Sequence, residues 1–183
     1  PKDAPRDLAY RVDVLGTQNV LNACTAAEVK KLIVTSSGAA YGYHADTPLW
    51  IDESAPLRGN DEFEYAKNKR LVEDMLALWR SDRPELQQVV FRPGTIVGEG
   101  VHSPVTDLFE KPFILGVAGS DSPFVFIWDE DLVACLVDAA FSTKTGVYNQ
   151  AGDGALTSRE IARMLHKPYV ALPAFVLKAI LWT

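Results

Sequence analysis

Apolar positions recur at helical spacing from about Leu8 to Ala27, placing Val14, Thr17, Leu21 and Cys24 on one side and predicting a core-facing helix there. "KKLIVTSSG" follows, a short apolar strand ending in small polar residues. The stretch 61–80 is helical in pattern, and Asp61 and Glu64 have the spacing of a capping box. "LQQVVFRPG" is a second apolar strand, closed by Pro93 and Gly94. Short, wholly apolar strands alternating with helices argue for a parallel sheet covered on both faces.

Beyond Gly100 the pattern loosens. "SPFVFIW" is expected as a strand, "DEDLVACLVDAAF" as a helix opening on acids, and "GVYNQA" as another short strand. Thr157 and Glu160 form a capping box ahead of "TSREIARML". There are no internal repeats and no low-complexity tract. No position demands a boundary to an independently folding second domain.

Composition excludes several classes. With 183 residues, 48% of them hydrophobic, the chain has enough apolar side chain for a sizeable core. A net charge of −6 without a basic run argues against nucleic acid and anionic membrane as partners. Cys24 and Cys135 fall in apolar helical patterns with no metal spacing, and are expected as buried small side chains in a reducing, cytoplasmic compartment. The apolar stretch "YVALPAFVLKAILW" is broken by Pro173 and Lys178 and is too short to span a bilayer. Asp129, Glu130 and Asp131 are read as favourable charges at a helix start rather than metal ligands. His44 and Asp46 are read as loop polarity, and the four tryptophans, Trp50, Trp79, Trp128 and Trp182, as core or pocket lining.

The candidate chemistry sits where a parallel sheet binds ligands, outside the carboxyl ends of its strands. Those ends are "TSSGAAYG" and "RPGTIVGEG". They bring Thr35, Ser36 and Ser37 near the helix that carries Tyr65 and, one turn on, Lys69. Such a pair is often mere surface contact. Beside a hydroxyl cluster it gains a second reading, as a group that can give or take a proton at a neighbouring oxygen. A phenol is a poor base at neutral pH unless a neighbouring cation favours its charged form.

"TSSGAAYG", "YAKNK" and "FRPGTIVGEG", in that order, resemble the short-chain dehydrogenase/reductase superfamily, and specifically its extended branch of NAD-dependent epimerases and dehydratases. "VLGTQNVLNAC", "FVFIWDEDLVACLVDAA" and "GVYNQAGDGALTSREIA" extend the resemblance over almost the whole chain. It implies an α/β, Rossmann-like doubly wound parallel sheet, incomplete at the N-terminus. Residues 1–100 are then the C-terminal half of the NAD(P)-binding domain with the catalytic residues, and 101–183 a small substrate-side α/β region. It further implies Ser37, Tyr65 and Lys69 as catalytic residues: Ser37 holds the substrate oxygen, Tyr65 is the acid/base, and Lys69 supports it and hydrogen-bonds the nicotinamide ribose. Thr35, Ser36, Tyr65, Lys69, Pro93, Gly94 and Thr95 are the implied cofactor-binding set, for NAD or NADP, with no metal. Ser36 is the alternative to Ser37 as the positioning hydroxyl.

Two features depart from the pattern. Asp13 stands where the family often carries asparagine, before the "GT" of its helix. No phosphate-binding glycine loop occurs among the twelve glycines. The resemblance places that loop upstream of Pro1, in a segment on the order of 70–90 residues. The implied activity is NAD(P)-dependent oxidation or reduction at an alcohol or carbonyl carbon. The alternatives are a nucleotide-sugar epimerase or dehydratase, and a non-catalytic dinucleotide-binding relative. Between Arg92 and Arg159 there is no arginine, while Phe109, Phe113, Ile114, Leu115, Phe124, Phe126 and Trp128 crowd the interval. The expected partner is therefore a small molecule without a diphosphate, since arginine is the usual bidentate phosphate ligand, and, with that aromatic lining, a neutral or largely apolar alcohol or carbonyl compound. The resemblance also implies a homodimer through the helices at 10–27 and 61–80, which carry Val20, Leu71, Leu76 and Leu78.

Overall fold

The structure is a computed structural model describing residues 6–121 and 123–181. Trp182 lies outside the described residues. In chain order, α1 (Arg6–Tyr10) runs through a π-helical turn (Arg11–Leu15) into α2 (Gly16–Ala26), then β1 (Lys31–Thr35), a 3-10 turn (Gly38–Tyr41), α3 (Glu64–Asp82) and β2 (Gln87–Pro93). There follow β3 (Thr95–Val97), α4 (Pro104–Glu110), β4 (Ile114–Val117), β5 (Pro123–Phe124), β6 (Phe126–Trp128) and α5 (Asp129–Phe141). The chain continues through β7 (Gly146–Gln150), β8 (Leu156–Thr157), α6 (Ser158–Met164), β9 (Tyr169–Leu172) and α7 (Ala174–Leu181). By packing these fall into two units, 1–94 with 133–150, and 95–132 with 151–183.

The first unit is a parallel sheet in the order β1-β2-β7. Its centre, β2, is buried at every position after Gln87, as a strand covered on both faces must be. Alternation along β2 sends Val90 to one face and Val89 and Phe91 to the other. Val90 joins Val14, Leu21, Val72 and Leu76 from the helices before and after β1, whereas Val89 and Phe91 pack with Ala139 and Cys135 of α5. The expected helix at 8–27 is present with Val14 and Leu21 buried, but a π-helical turn interrupts it. Asp13 lies in that turn, and its carbonyl accepts the Thr17 hydroxyl at 2.6 Å.

In the second unit the described strands form two-stranded pairs, β3 with β6 and β4 with β9 parallel, and β5 with β8 antiparallel. The capping box at Thr157 and Glu160 is made in full. The Thr157 backbone N–H and then its hydroxyl hold the Glu160 carboxyl below its ordinary value. Phe109, Phe124 and Phe126 pack on one another at centroid distances of 5.3 to 6.2 Å, and Ile114 is buried.

Several local expectations are corrected. The helix at 61–80 starts at Glu64 with Phe63 as an uncapped N-cap, and Asp61 instead accepts from the Arg70 guanidinium at 2.8 Å. "SPFVFIW" is two short strands that pair with different partners. Trp50 and Trp128 are exposed rather than core. Leu76 is fully buried and Leu71 packs against its cluster, so neither is free for a dimer contact, while Val20 and Leu78 are exposed.

Candidate active site

Residues Thr35 to Tyr41 leave the sheet along a path set by alternation. The Ser36 N–H still bonds the Phe91 carbonyl at 2.7 Å, continuing the β1–β2 ladder, and its hydroxyl turns inward to donate to Glu73 Oε1 at 2.6 Å. Ser37, next along and extended, turns the other way and caps the 3-10 turn, its Oγ accepting from the Ala39 N–H at 3.1 Å. A serine hydroxyl is donor and acceptor at once, so capping leaves the Ser37 O–H hydrogen available to a ligand. Thr35 is exposed at the strand end.

The turn that Ser37 caps packs against α3. Two residues ahead of that helix fix how it enters. Asn60 Oδ1 accepts from the Tyr43 N–H at 2.7 Å and its amide donates to the Tyr43 carbonyl at 3.2 Å. At Gly59 a Cβ would run into the Ala66 carbonyl, so a side chain there would displace the first turn of α3. Tyr65 lies in that turn, 45% exposed, with Phe63 beside it at a centroid distance of 6.1 Å and Tyr43 against Phe63 at 6.0 Å. The Lys69 ammonium stands over the Tyr65 ring, 5.5 Å from its centroid, within the range of cation–π attraction. Among the described residues, neither the Tyr65 hydroxyl nor the Lys69 ammonium is hydrogen-bonded within the protein.

At the end of β2, Pro93 is buried and the Gly94 N–H donates to the Gln150 carbonyl at 3.0 Å. Thr95 opens β3 in the second unit. Beneath the two strand ends is a polar network that the sequence reading did not identify. Arg92 Nε donates to both Glu73 oxygens at 2.9 Å and Nη2 to Oε2 at 2.6 Å, with both side chains buried. Arg92 Nη1 reaches the Tyr41 hydroxyl at 2.7 Å and the Glu53 carbonyl at 3.2 Å, and the Tyr41 hydroxyl donates to Asn149 Oδ1 at 2.8 Å. Burial opposes the Arg92 charge, but the bonds from Glu73 and Tyr41 outweigh it and raise its pKa. The available signal was Glu73 at i+4 from Lys69, together with an arginine at the end of an apolar strand.

His44 and Asp46 serve the loop: Asp46 binds Arg58 through two contacts of 3.0 and 3.1 Å, which hold its carboxyl below the ordinary value, and His44 Nε2 lies 2.7 Å from the Arg58 carbonyl. A cavity of about 340 Å³ lined by Val89, Phe91, Cys135 and Tyr148 opens on the α5 face of the sheet, opposite α3.

The Tyr65 hydroxyl, the Lys69 ammonium and the Ser37 hydroxyl hydrogen, on elements that pack together, are donors of the kind that ribose and carbonyl oxygens accept; the glycine loop that grips a pyrophosphate is not in this sequence. Among solved structures, the fold is similar to the UDP-glucose 4-epimerase of Thermus thermophilus in complex with NAD, with a TM-score of 0.70 and 24% identity over 95% of this chain and 65% of that one. Among curated proteins, the chain is 37% identical over 110 residues to N-acetyl-alpha-D-glucosaminyl-diphospho-ditrans,octacis-undecaprenol 4-epimerase of Escherichia coli O157:H7, covering 59% of this chain and 31% of that protein. It is 26% identical to 3beta-hydroxysteroid-dehydrogenase/decarboxylase isoform 2 of Arabidopsis thaliana, over 94% of this chain and 34% of that protein. The chain spans less than half the length of these curated relatives. Residues 3–114 match the NAD dependent epimerase/dehydratase family, and the chain belongs to that family.

Proposed function

We propose that the protein carrying this chain is an NAD(P)-dependent oxidoreductase of the epimerase/dehydratase type, with Tyr65 as the acid/base. A bound nicotinamide supplies the hydride acceptor or donor. Tyr65 takes the proton from a substrate hydroxyl during oxidation and returns it to the oxygen during reduction. Lys69 favours the charged phenol by its own charge, and Ser37 donates its free hydrogen to the substrate oxygen. Pro93, Gly94 and Thr95 would lie along the nicotinamide through their backbone, with Thr35 at the facing strand end. Ser36 is assigned to the buried network, because its hydroxyl is already bonded to Glu73. The observation that carries the reading is the Tyr65–Lys69 pair, one turn apart, in contact and otherwise unbonded.

For the substrate we favour an alcohol or carbonyl compound without a diphosphate. The interval 93–158 holds no arginine, and of its lysines, Lys111 and Lys144, the latter is paired with Asp138 at 2.9 Å. The aromatic part of the expectation is weaker, because Phe109, Phe124 and Phe126 pack on one another. The second reading is an epimerase acting on a diphospho-sugar. It is favoured by the substrates named for the Escherichia coli and Thermus relatives, whereas the steroid dehydrogenase relative favours the first. A panel of UDP-sugars, dTDP-sugars and hydrophobic secondary alcohols, assayed on the full-length protein with NAD and with NADP, separates them. Turnover is expected with the alcohols; micromolar binding or turnover of a diphospho-sugar selects the second reading.

The proposal includes an isologous dimer on the exposed apolar residues of α2 and α3, Val20 and Leu78. Light scattering on the full-length protein at micromolar concentration is expected to return twice the chain mass; a monomeric mass counts against it.

A further inference from the structure

Residues four apart on a helix share a face, and oppositely charged ones attract. α3 carries Tyr65, Lys69 and Glu73 at that spacing. Glu73 is thus a natural competitor for the ammonium that Tyr65 needs, and a Lys69–Glu73 pair would cancel much of that charge. In the structure Glu73 is engaged elsewhere. Its Oε1 accepts from the Ser36 hydroxyl at 2.6 Å and from Arg92 Nε at 2.9 Å; its Oε2 accepts from Arg92 Nε at 2.9 Å and Nη2 at 2.6 Å. Three hydrogens, from Ser36 Oγ, Arg92 Nε and Arg92 Nη2, thus hold the carboxylate, and a buried guanidinium rather than Lys69 balances its charge. The ammonium of Lys69 has the Tyr65 ring as its contact among the described residues.

We infer that Arg92, helped by Ser36, is a positioning residue that withholds Glu73 from Lys69 and so keeps the ammonium directed at Tyr65. The inference deepens the acid/base reading of Tyr65 and rests on it. The elements packed against α3 bring other ionisable groups: Asp7 and Tyr10 of α1, Arg11 and Asp13 of the π-helical turn, Cys24 of α2, Tyr41 of the 3-10 turn and Tyr43 just beyond it. Asp7 and Arg11 face each other at 3.9 Å, and Tyr41 is bonded to Arg92 and Asn149. The Tyr43 phenol is held above its ordinary value by desolvation first and by Tyr65 second. On α3 itself are Glu64, Lys67, Asp74, Asp82, Arg70, bonded to Asp61, and Arg80, bonded to Gln88. Among the described residues none of these bonds Lys69, which leaves Glu73 as the acid one turn away that must be held back.

The test is turnover against pH, in the direction of alcohol oxidation, for the full-length protein and its Arg92→Gln, Ser36→Ala, Arg92→Gln/Glu73→Gln and Tyr65→Phe variants, each with a thermal melt. Freeing Glu73 lets it pair with Lys69, so the phenolate loses support and the rise of activity moves to higher pH. The displacement is expected to be clear of the fitting error for Arg92→Gln and smaller for Ser36→Ala. The double variant, lacking the acid, returns to the parent profile although its melt stays low, which a purely structural role would not produce. Loss of turnover in Tyr65→Phe ties the rising limb to Tyr65; retained turnover there overturns the acid/base reading itself. With that loss established, an unshifted limb in folded Arg92→Gln overturns the inference. If Arg92→Gln does not fold, an unshifted limb in Ser36→Ala does so. A shift that persists in the double variant overturns it as well.

Discussion

Tyr65→Phe in the full-length protein is expected to lower turnover by two or more orders of magnitude while leaving the thermal melt within a degree or two of the parent. General acid–base groups typically contribute about 10²–10⁴-fold, which corresponds to roughly 3–5 kcal/mol of barrier. The fold is expected to survive because the Tyr65 hydroxyl bonds nothing among the described residues and its ring is 45% exposed, so removing one oxygen leaves no buried group unpaired. The ring contacts to Phe63 and Lys69 are kept by phenylalanine. Steady-state kinetics with the substrate found in the panel, beside a melt, checks it. Near-parent turnover would remove Tyr65 from the chemistry.

The second large effect falls on stability. Arg92→Leu is expected to destabilise the protein by about 3–5 kcal/mol, because it strips the buried Glu73 carboxylate of its guanidinium partner, leaving the Ser36 hydroxyl in contact and only Lys69, one turn away, to be drawn from Tyr65 as a substitute. It also removes the donors to Tyr41 and to the Glu53 carbonyl, which tie the 3-10 turn and the following loop to β2. Replacing both members, as in Arg92→Leu/Glu73→Leu, is expected to cost markedly less, since no charge is then left unpaired. Urea denaturation reads the difference as a fall in midpoint at constant slope. Equal losses in the single and double variants would show that packing, not charge, is what the pair supplies.

Much of the first unit was legible in the chain because periodicity reports burial. The face Val14, Leu21 and Cys24 and the run "VVF" lie where their spacing puts them, and the matched family segment covers this part. What was not legible depended on contacts distant in sequence. The start of α3 is moved past Asp61 by Arg70 and by the clasp of Asn60 on Tyr43, neither of which local capping rules contain. Ser36 and Ser37 are the same residue type side by side; only strand alternation assigns one to Glu73 and the other to the turn. The short strands β3 and β9 show no alternation over three or four residues, and β4 alternates in burial while its letters, Ile-Leu-Gly-Val, do not alternate in polarity. The phenylalanines of the second unit looked like a pocket wall, but self-packing and pocket lining write the same apolar letters.

The central claim is that Tyr65, supported by Lys69, moves the proton that accompanies hydride transfer. Its most direct test follows the nicotinamide absorbance in a single turnover, as a function of pH, for the full-length protein and for Lys69→Met and Tyr65→Phe. In the direction of alcohol oxidation, the parent is expected to transfer hydride faster as the pH rises. Lys69→Met is expected to be slower, with its rise displaced to higher pH because the phenolate has lost its neighbouring charge, and Tyr65→Phe is expected to be slow and to lack that rise. Transfer at the parent rate and with the parent pH profile in both variants would contradict the account.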